Sequence, residues 1–180
     1  MELSKTSYVI LGMLRSRPHT GYEIKAIVDH STRFFWAASY GQIYPELKRL
    51  EEAGLVEGEP ESEGGRRKRL FSLTTEGRRE LQDWISSGEP LHSELRHEGL
   101  LRFFFADVVN AEDQLDLVRD IREMHERVRD EMQAVRPKAE EGRAERGFEF
   151  PLRTLEFGLA YQDFIVDWCS RMEREIQEGS

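Results

Sequence analysis

The chain has 180 residues, 38% hydrophobic and 34% charged, with a formal net charge of −9. That length holds one domain or two small ones and buries a core without staples, while no apolar run reaches the roughly 20 residues of a bilayer span. One cysteine, Cys169, excludes an internal disulfide framework; with no secretory pattern at the start, a reducing cytoplasm is expected, and Cys169 reads as a small core hydrophobe.

The acidity is unevenly placed. Residues 1–85 carry 13 Lys and Arg against 13 Asp and Glu, whereas residues 86–180 carry 13 against 22. The first half can therefore present a basic face, because local clustering sets the field that a phosphate backbone feels.

Ser4 to Arg17, with apolar Tyr8, Val9, Leu11, Met13 and Leu14, predicts a helix ended by Pro18. Thr20 and Glu23 form a capping box for a second helix that turns Ile24, Ile27 and Val28 inward. Phe34-Phe35-Trp36 is expected to plug the core in the connection that follows.

Ser39 or Tyr40 opens a third helix, in which Ile43, Leu47 and Leu50 recur at i, i+4, i+7. Gly54 stands where a left-handed cap ends it. Its opposite face carries Gly41, Pro45, Lys48 and Arg49, with Tyr44 at the edge. Pro45 removes a backbone bond and is expected to kink or delay the helix. A helix packed on one side and small, aromatic and basic on the other suits a DNA major groove. Lys48, Arg49 and the Tyr44 hydroxyl suit phosphate, Gln42 suits an adenine edge, and Gly41 allows close backbone approach. Tyr40 lies nearer the apolar stripe, which leaves packing and DNA contact both open for it.

Leu55–Glu59 and Arg69–Leu73 predict two antiparallel strands, their loop carrying Arg66, Arg67 and Lys68 at its tip. Glu57, Glu59, Glu61 and Glu63 make that loop unusually acidic; they either alternate to an outer face or weaken non-specific binding. Thr74 caps a fourth helix through Leu81, Trp84 and Ile85. The sum is a winged helix-turn-helix over residues 1–87, closed by the turn-rich Ser86–Pro90.

Residues 91–180 predict a helical dimerisation domain. Glu94–Val108 forms one stretch. Asn110 caps a long helix with Ile121, His125, Val128, Met132 and Val135 at heptad spacing, and Arg136-Pro137 is expected to stop it before a charged turn at 138–147. A last helix, from about Leu152 to Glu178, offers Leu155, Leu159, Ile165, Trp168, Met172 and Ile176, more apolar surface than one neighbour covers, and a second subunit is the expected cover. The fold class is thus mainly α with a small β-hairpin.

His92, Glu94, His97 and Glu98 are the nearest approach to a metal site. Their spacings of two and one do not share a helix face, and the chain lacks a His-Glu-x-x-His, paired Cys ligands, a phosphate-binding Gly loop or a Ser nucleophile motif. No enzyme activity, metal or cofactor is expected. Phe34, Phe35, Trp36, Phe103, Phe104 and Phe105 serve either core packing or a pocket for a small aromatic or hydrophobic effector.

Gly21-Tyr22-Glu23-Ile24, the run Ser39 to Val56 and Arg67 to Gly77 together resemble the PadR family of bacterial transcriptional regulators. Glu94-Leu95-Arg96 through Leu101–Ala106 is similar to the opening of that family's C-terminal domain. The resemblance implies a homodimeric, ligand-responsive repressor that reads a palindromic operator in double-stranded DNA through Ser39, Tyr40, Gly41, Gln42, Tyr44, Pro45, Lys48, Arg49 and the wing cations. The alternative is a winged-helix module that binds protein, which has no need of those cations on one side.

Overall fold

The structure, a computed structural model, describes residues 3–60, 69–91 and 93–179. The chain divides into two units, Met1–Leu91 and His92–Ser180.

In the first unit, Ser4 caps α1 (Lys5–Met13) by accepting the Ser7 N–H. This helix ends short of Pro18, because the chain turns to place β1 (His19–Thr20) in a sheet. Thr20 and Glu23 make the full capping box of α2 (Gly21–Asp29), which buries Ile24 and Val28. After a 3-10 turn at Thr32–Phe34 come α3 (Tyr40–Glu52), β2 (Val56–Pro60), β3 (Arg69–Leu73) and α4 (Thr75–Ile85). Strand order is β1-β3-β2, antiparallel throughout, with His19 opposite Phe71 and Val56 opposite Leu73. β1 escapes sequence reading because it is two residues long, starting directly after Pro18 and ending on the Thr20 helix cap. This is a winged helix-turn-helix, its core built from Ile10, Leu11, Leu14, Ile24, Val28, Ile43, Leu47, Leu50, Val56 and Phe71.

Phe34-Phe35-Trp36 does not plug that core. Phe35 and Trp36 are exposed and Phe34 is half-buried, while the small Ala38 takes the inward position. The 3-10 turn is too short to carry an inward stripe, and the two aromatics that follow it face outward.

In the second unit, α5 (Glu98–Phe104) and a 3-10 turn (Ala106–Val108) precede two long helices, α6 (Ala111–Arg146) and α7 (Glu149–Gly179). Residues 93–97 do not join the expected Glu94–Val108 helix; His97 is its N-cap, Nδ1 accepting the Leu100 N–H at 3.1 Å. Nor does Pro137 stop α6, which runs to a left-handed Gly147. Pro137 lies on the solvent face, where water can serve the carbonyl left unpaired, and packing against α7 holds the helix through it.

α6 and α7 form an antiparallel hairpin. Val118 and Ile121 of α6 meet Ile165 and Cys169 of α7, flanked by Phe103, Tyr161, Trp168, Met172 and Ile176. Arg122 pairs with Glu173 at 2.9 Å across the seam. Burial pushes the Cys169 thiol up to about 11, leaving it an inert core residue.

The residues expected to meet a second subunit are largely occupied within the chain. Leu159 and Ile165 are buried, Leu155 is half-buried, and Trp168, Met172 and Ile176 pack on the hairpin's own core. A different stripe of α7 faces outward: Phe150, Phe157 and Phe164, 80%, 74% and 58% exposed at heptad spacing.

A polar chain crosses this seam. Because His97 Nδ1 accepts, its Nε2–H donates to His125 Nε2 at 2.8 Å, and the His125 Nδ1–H donates to the Gln162 carbonyl. His97 can accept the Leu100 N–H only while its imidazole is neutral. Burial, then the neighbouring His125, hold the His97 pKa below its ordinary 6.5. The unfolded chain therefore takes up the proton first. Stability is complete above about pH 6.5 and falls as pH drops through that value toward the folded pKa. Urea unfolding of the second unit is expected to show a lower midpoint at pH 5.5 than at pH 7.5, and His97→Asn, which keeps a capping oxygen, is expected to flatten the difference.

Candidate nucleic-acid interface

The sequence of α3 divides it cleanly. Ile43, Glu46, Leu47 and Leu50 are buried, while Ser39, Tyr40, Gly41, Gln42, Tyr44, Pro45, Lys48 and Arg49 are all exposed. Pro45 neither delays nor interrupts the helix; it sits on the open face, so the unpaired Gly41 carbonyl has solvent access. The C-terminus closes as a Schellman motif. Gly54, at φ +71°, donates to the Glu51 carbonyl and Leu55 donates to that of Leu50, both at 2.9 Å.

The two basic residues differ in freedom. Lys48 stands well out, paired among the described residues with Glu52 at 3.7 Å, whereas Arg49 donates to Glu46 at 3.1 Å. Gln42 is engaged at the helix start, its carbonyl accepting the Ser39 N–H at 2.9 Å. Arg66, Arg67 and Lys68 lie outside the described residues, as do Glu61 and Glu63; Glu57 and Glu59 face solvent on β2.

Arg69, the last cation of the wing run, belongs to the fold. Its guanidinium grips Glu51 at the end of α3, with one bond at 2.8 Å, and the Gly58 carbonyl at 2.7 Å. Glu51 also accepts the Gly58 N–H at 3.2 Å, and the Arg69 hydrogen bond holds its pKa below the ordinary range. This clamp fixes the root of the wing to the candidate recognition helix.

A second anchor is less legible from sequence. Glu46 points into the protein beneath α3, accepting from Ser4 at 2.6 Å and from Ser7, the cap and first turn of α1. Burial alone raises its pKa, but the two serine hydroxyls and Arg49 outweigh that and hold it below the usual 4.5. Stability from this carboxylate is present above about pH 4.5 and is lost as pH falls through the depressed folded pKa. Glu46→Ala is expected to cost about 2–3 kcal/mol at pH 7, measured by urea unfolding, with Glu46→Gln costing less and losing the acid dependence below pH 4.5.

Two tyrosines precede the basic pair on the exposed face of α3. Tyr40 and Tyr44 are 44% and 50% exposed, their rings near-parallel with centroids 6.2 Å apart. Tyr40 therefore does not pack in the core. Phe104 and Phe105 of the second unit are likewise exposed, and only Phe103 packs, edge-on to Trp168 at 5.0 Å. Beside them Leu101, Phe105, Val108, Val109 and Leu117 line an open apolar groove of about 510 Å³.

Of the four residues His92, Glu94, His97 and Glu98, Glu94 pairs with Arg96, Glu98 with Arg102, and His97 caps α5, while His92 lies outside the described residues. Among the described residues no three His, Cys, Asp or Glu are grouped to hold a metal ion.

Residues 10–83 match the transcriptional regulator PadR-like family and residues 95–177 match the virulence activator alpha C-terminal family. The chain is 25% identical to Bacillus subtilis PadR in a crystal structure with operator DNA, with a TM-score of 0.83 over 96% of this chain and 99% of that one. Residues 10–83 thus form a domain of the PadR-like family of transcriptional regulators. Over 114 residues it is 32% identical to the negative transcriptional regulator PadR of B. subtilis; that match spans 63% of each protein. A second PadR structure, in complex with p-coumaric acid, superimposes with a TM-score of 0.77 at 26% identity, over 97% of this chain and 99% of that one. The PadR-like family comprises regulators rather than enzymes. Its match covers α2, α3 and the described wing strands, the elements that carry the exposed basic and aromatic face.

Proposed function

We propose that the chain is a cytoplasmic, sequence-specific DNA-binding regulator, acting as a ligand-responsive homodimeric repressor on a palindromic operator. The observation that carries this reading is the exposed face of α3, where Tyr40, Gly41, Gln42, Tyr44, Pro45, Lys48 and Arg49 stand together on a helix locked at both ends. Likeness to PadR bound to operator DNA supports it.

In this reading α3 enters the major groove. Lys48, Arg49 and the tyrosine hydroxyls hold phosphates, and the Gln42 amide reads a base. Arg66, Arg67 and Lys68, between the two wing strands in sequence, add phosphate contacts, one Arg reaching the minor groove. Ser39, exposed at the N-cap of the helix, adds a further contact to the DNA.

A second copy covers the Phe150, Phe157 and Phe164 stripe, and the dimer joins two weak half-site contacts at high effective concentration. The effector is a small aromatic or hydrophobic molecule, as the likeness to PadR with p-coumaric acid suggests. The apolar groove between α5 and α6 is of a size suited to such a ligand. An effector that binds one arrangement of the C-terminal helices better than another shifts the dimer away from the DNA-binding form.

Footprinting on fragments selected from genomic DNA tests this function. Two protected half-sites related by a two-fold axis, about 10 bp or a multiple apart, are expected. A single unpaired half-site as the full target refutes the dimeric palindromic reading.

A further inference from the structure

The exposed surface beside α3 continues onto α2. Tyr22 is 66% exposed, and its ring lies within 19° of parallel to that of Tyr40, with centroids 6.4 Å apart. Tyr40 in turn stacks near-parallel on Tyr44. Three phenols thus form one ladder across two helices. Nothing in the core explains Tyr22, since α2 packs through Ile24 and Val28.

The ladder is held from both sides. Lys25 Nζ lies 5.5 Å from the Tyr40 ring centroid, its charge paired with Asp29. At the other end, the Tyr44 ring rests over Gly21. A Cβ at Gly21 would stand 2.7 Å from Tyr44 Cε1, inside any tolerable contact. The missing side chain at position 21 is therefore what lets Tyr44 lie where it does. A stacked row of aromatics costs little further ordering on binding.

We propose that Tyr22 is a DNA-contacting residue, the outer member of a three-tyrosine wall whose hydroxyls donate to the phosphates of one strand, and that Gly21 is the positioning residue that seats Tyr44 in it. This rests on the DNA-binding reading of α3. Because Lys25 is already paired with Asp29, α2 contributes here through neutral hydroxyls, a contact type common at phosphates. A neutral donor displaces no counterion, so its loss weakens binding without changing the salt dependence.

The test compares Tyr22→Phe, Gly21→Ala and Lys48→Ala in the full-length protein, titrated against the selected operator and a shuffled duplex at several salt concentrations. Far-UV circular dichroism checks each variant. Tyr22→Phe is expected to bind both duplexes about tenfold more weakly, with the slope of log K against log salt unchanged. Gly21→Ala is expected to do the same while staying folded, since an exposed ring can swing aside; if it fails to fold, Tyr22→Phe alone decides. Lys48→Ala is expected to lower the slope by about 0.9. Wild-type binding by Tyr22→Phe alongside weakened Lys48→Ala overturns the inference and leaves the DNA reading standing. A slope change in Tyr22→Phe equal to that of Lys48→Ala also overturns it. Wild-type behaviour in both variants overturns the two together.

Discussion

Replacing Lys48 and Arg49 together by alanine is expected to reduce operator affinity at least tenfold and to flatten its salt dependence. Each cation that meets a phosphate releases counterions worth about 0.9 in the slope of log K against log salt, so the pair should lower it by about 1.8. The loss should be similar on operator and shuffled DNA, because phosphate contacts carry little sequence information. Folding should survive: among the described residues the ion-pair partner of Lys48 is the exposed Glu52, and Glu46 keeps Ser4 and Ser7 when Arg49 is gone. Fluorescence anisotropy across a salt series is the check. An unchanged slope with a folded variant would remove these residues from the interface.

For the proposed dimer, Phe157→Glu is expected to give a monomer and to reduce operator affinity by about 10²–10⁴. Phe157 lies midway along the stripe from Phe150 to Phe164, and each ring offers roughly 150–250 Å² of contact. A charge there would be buried unpaired at the interface, whereas in the monomer it stays in water. Ile165 makes the contrast, since it is buried against Val118 and Ile121 of its own chain. Ile165→Ala should destabilise the second unit by about 2–4 kcal/mol. Analytical ultracentrifugation at micromolar concentration distinguishes the cases. A Phe157→Glu variant that remains dimeric with wild-type affinity would place the interface elsewhere.

The winged helix and the face of α3 were legible in the sequence because local signals agree there. The Thr20–Glu23 box, the Ile43, Leu47 and Leu50 stripe and Gly54 each fix one end or one face of an element. What escaped depends on partners distant in sequence. Glu46 looks like a surface carboxylate on an amphipathic helix until α1 brings Ser4 and Ser7 beneath it. Arg69 looks like a fourth wing cation until Glu51 claims it. Pro137 carries a strong local stop signal that packing along α7 overrides. The apolar excess of α7 was visible, but its division between an inner seam and an outer phenylalanine stripe needed the position of α6. Tyr22 was visible only as part of a family-like motif, because its neighbours Tyr40 and Tyr44 lie on another helix.

Sequence-specific DNA binding is the claim on which the rest depends, and one titration tests it most directly. The full-length protein is titrated at physiological salt against its genomically selected site and against a duplex of the same length and composition in shuffled order. The selected site is expected to bind at least about 10³ times more tightly. Equal affinity for the two duplexes, or no binding to either, would contradict it.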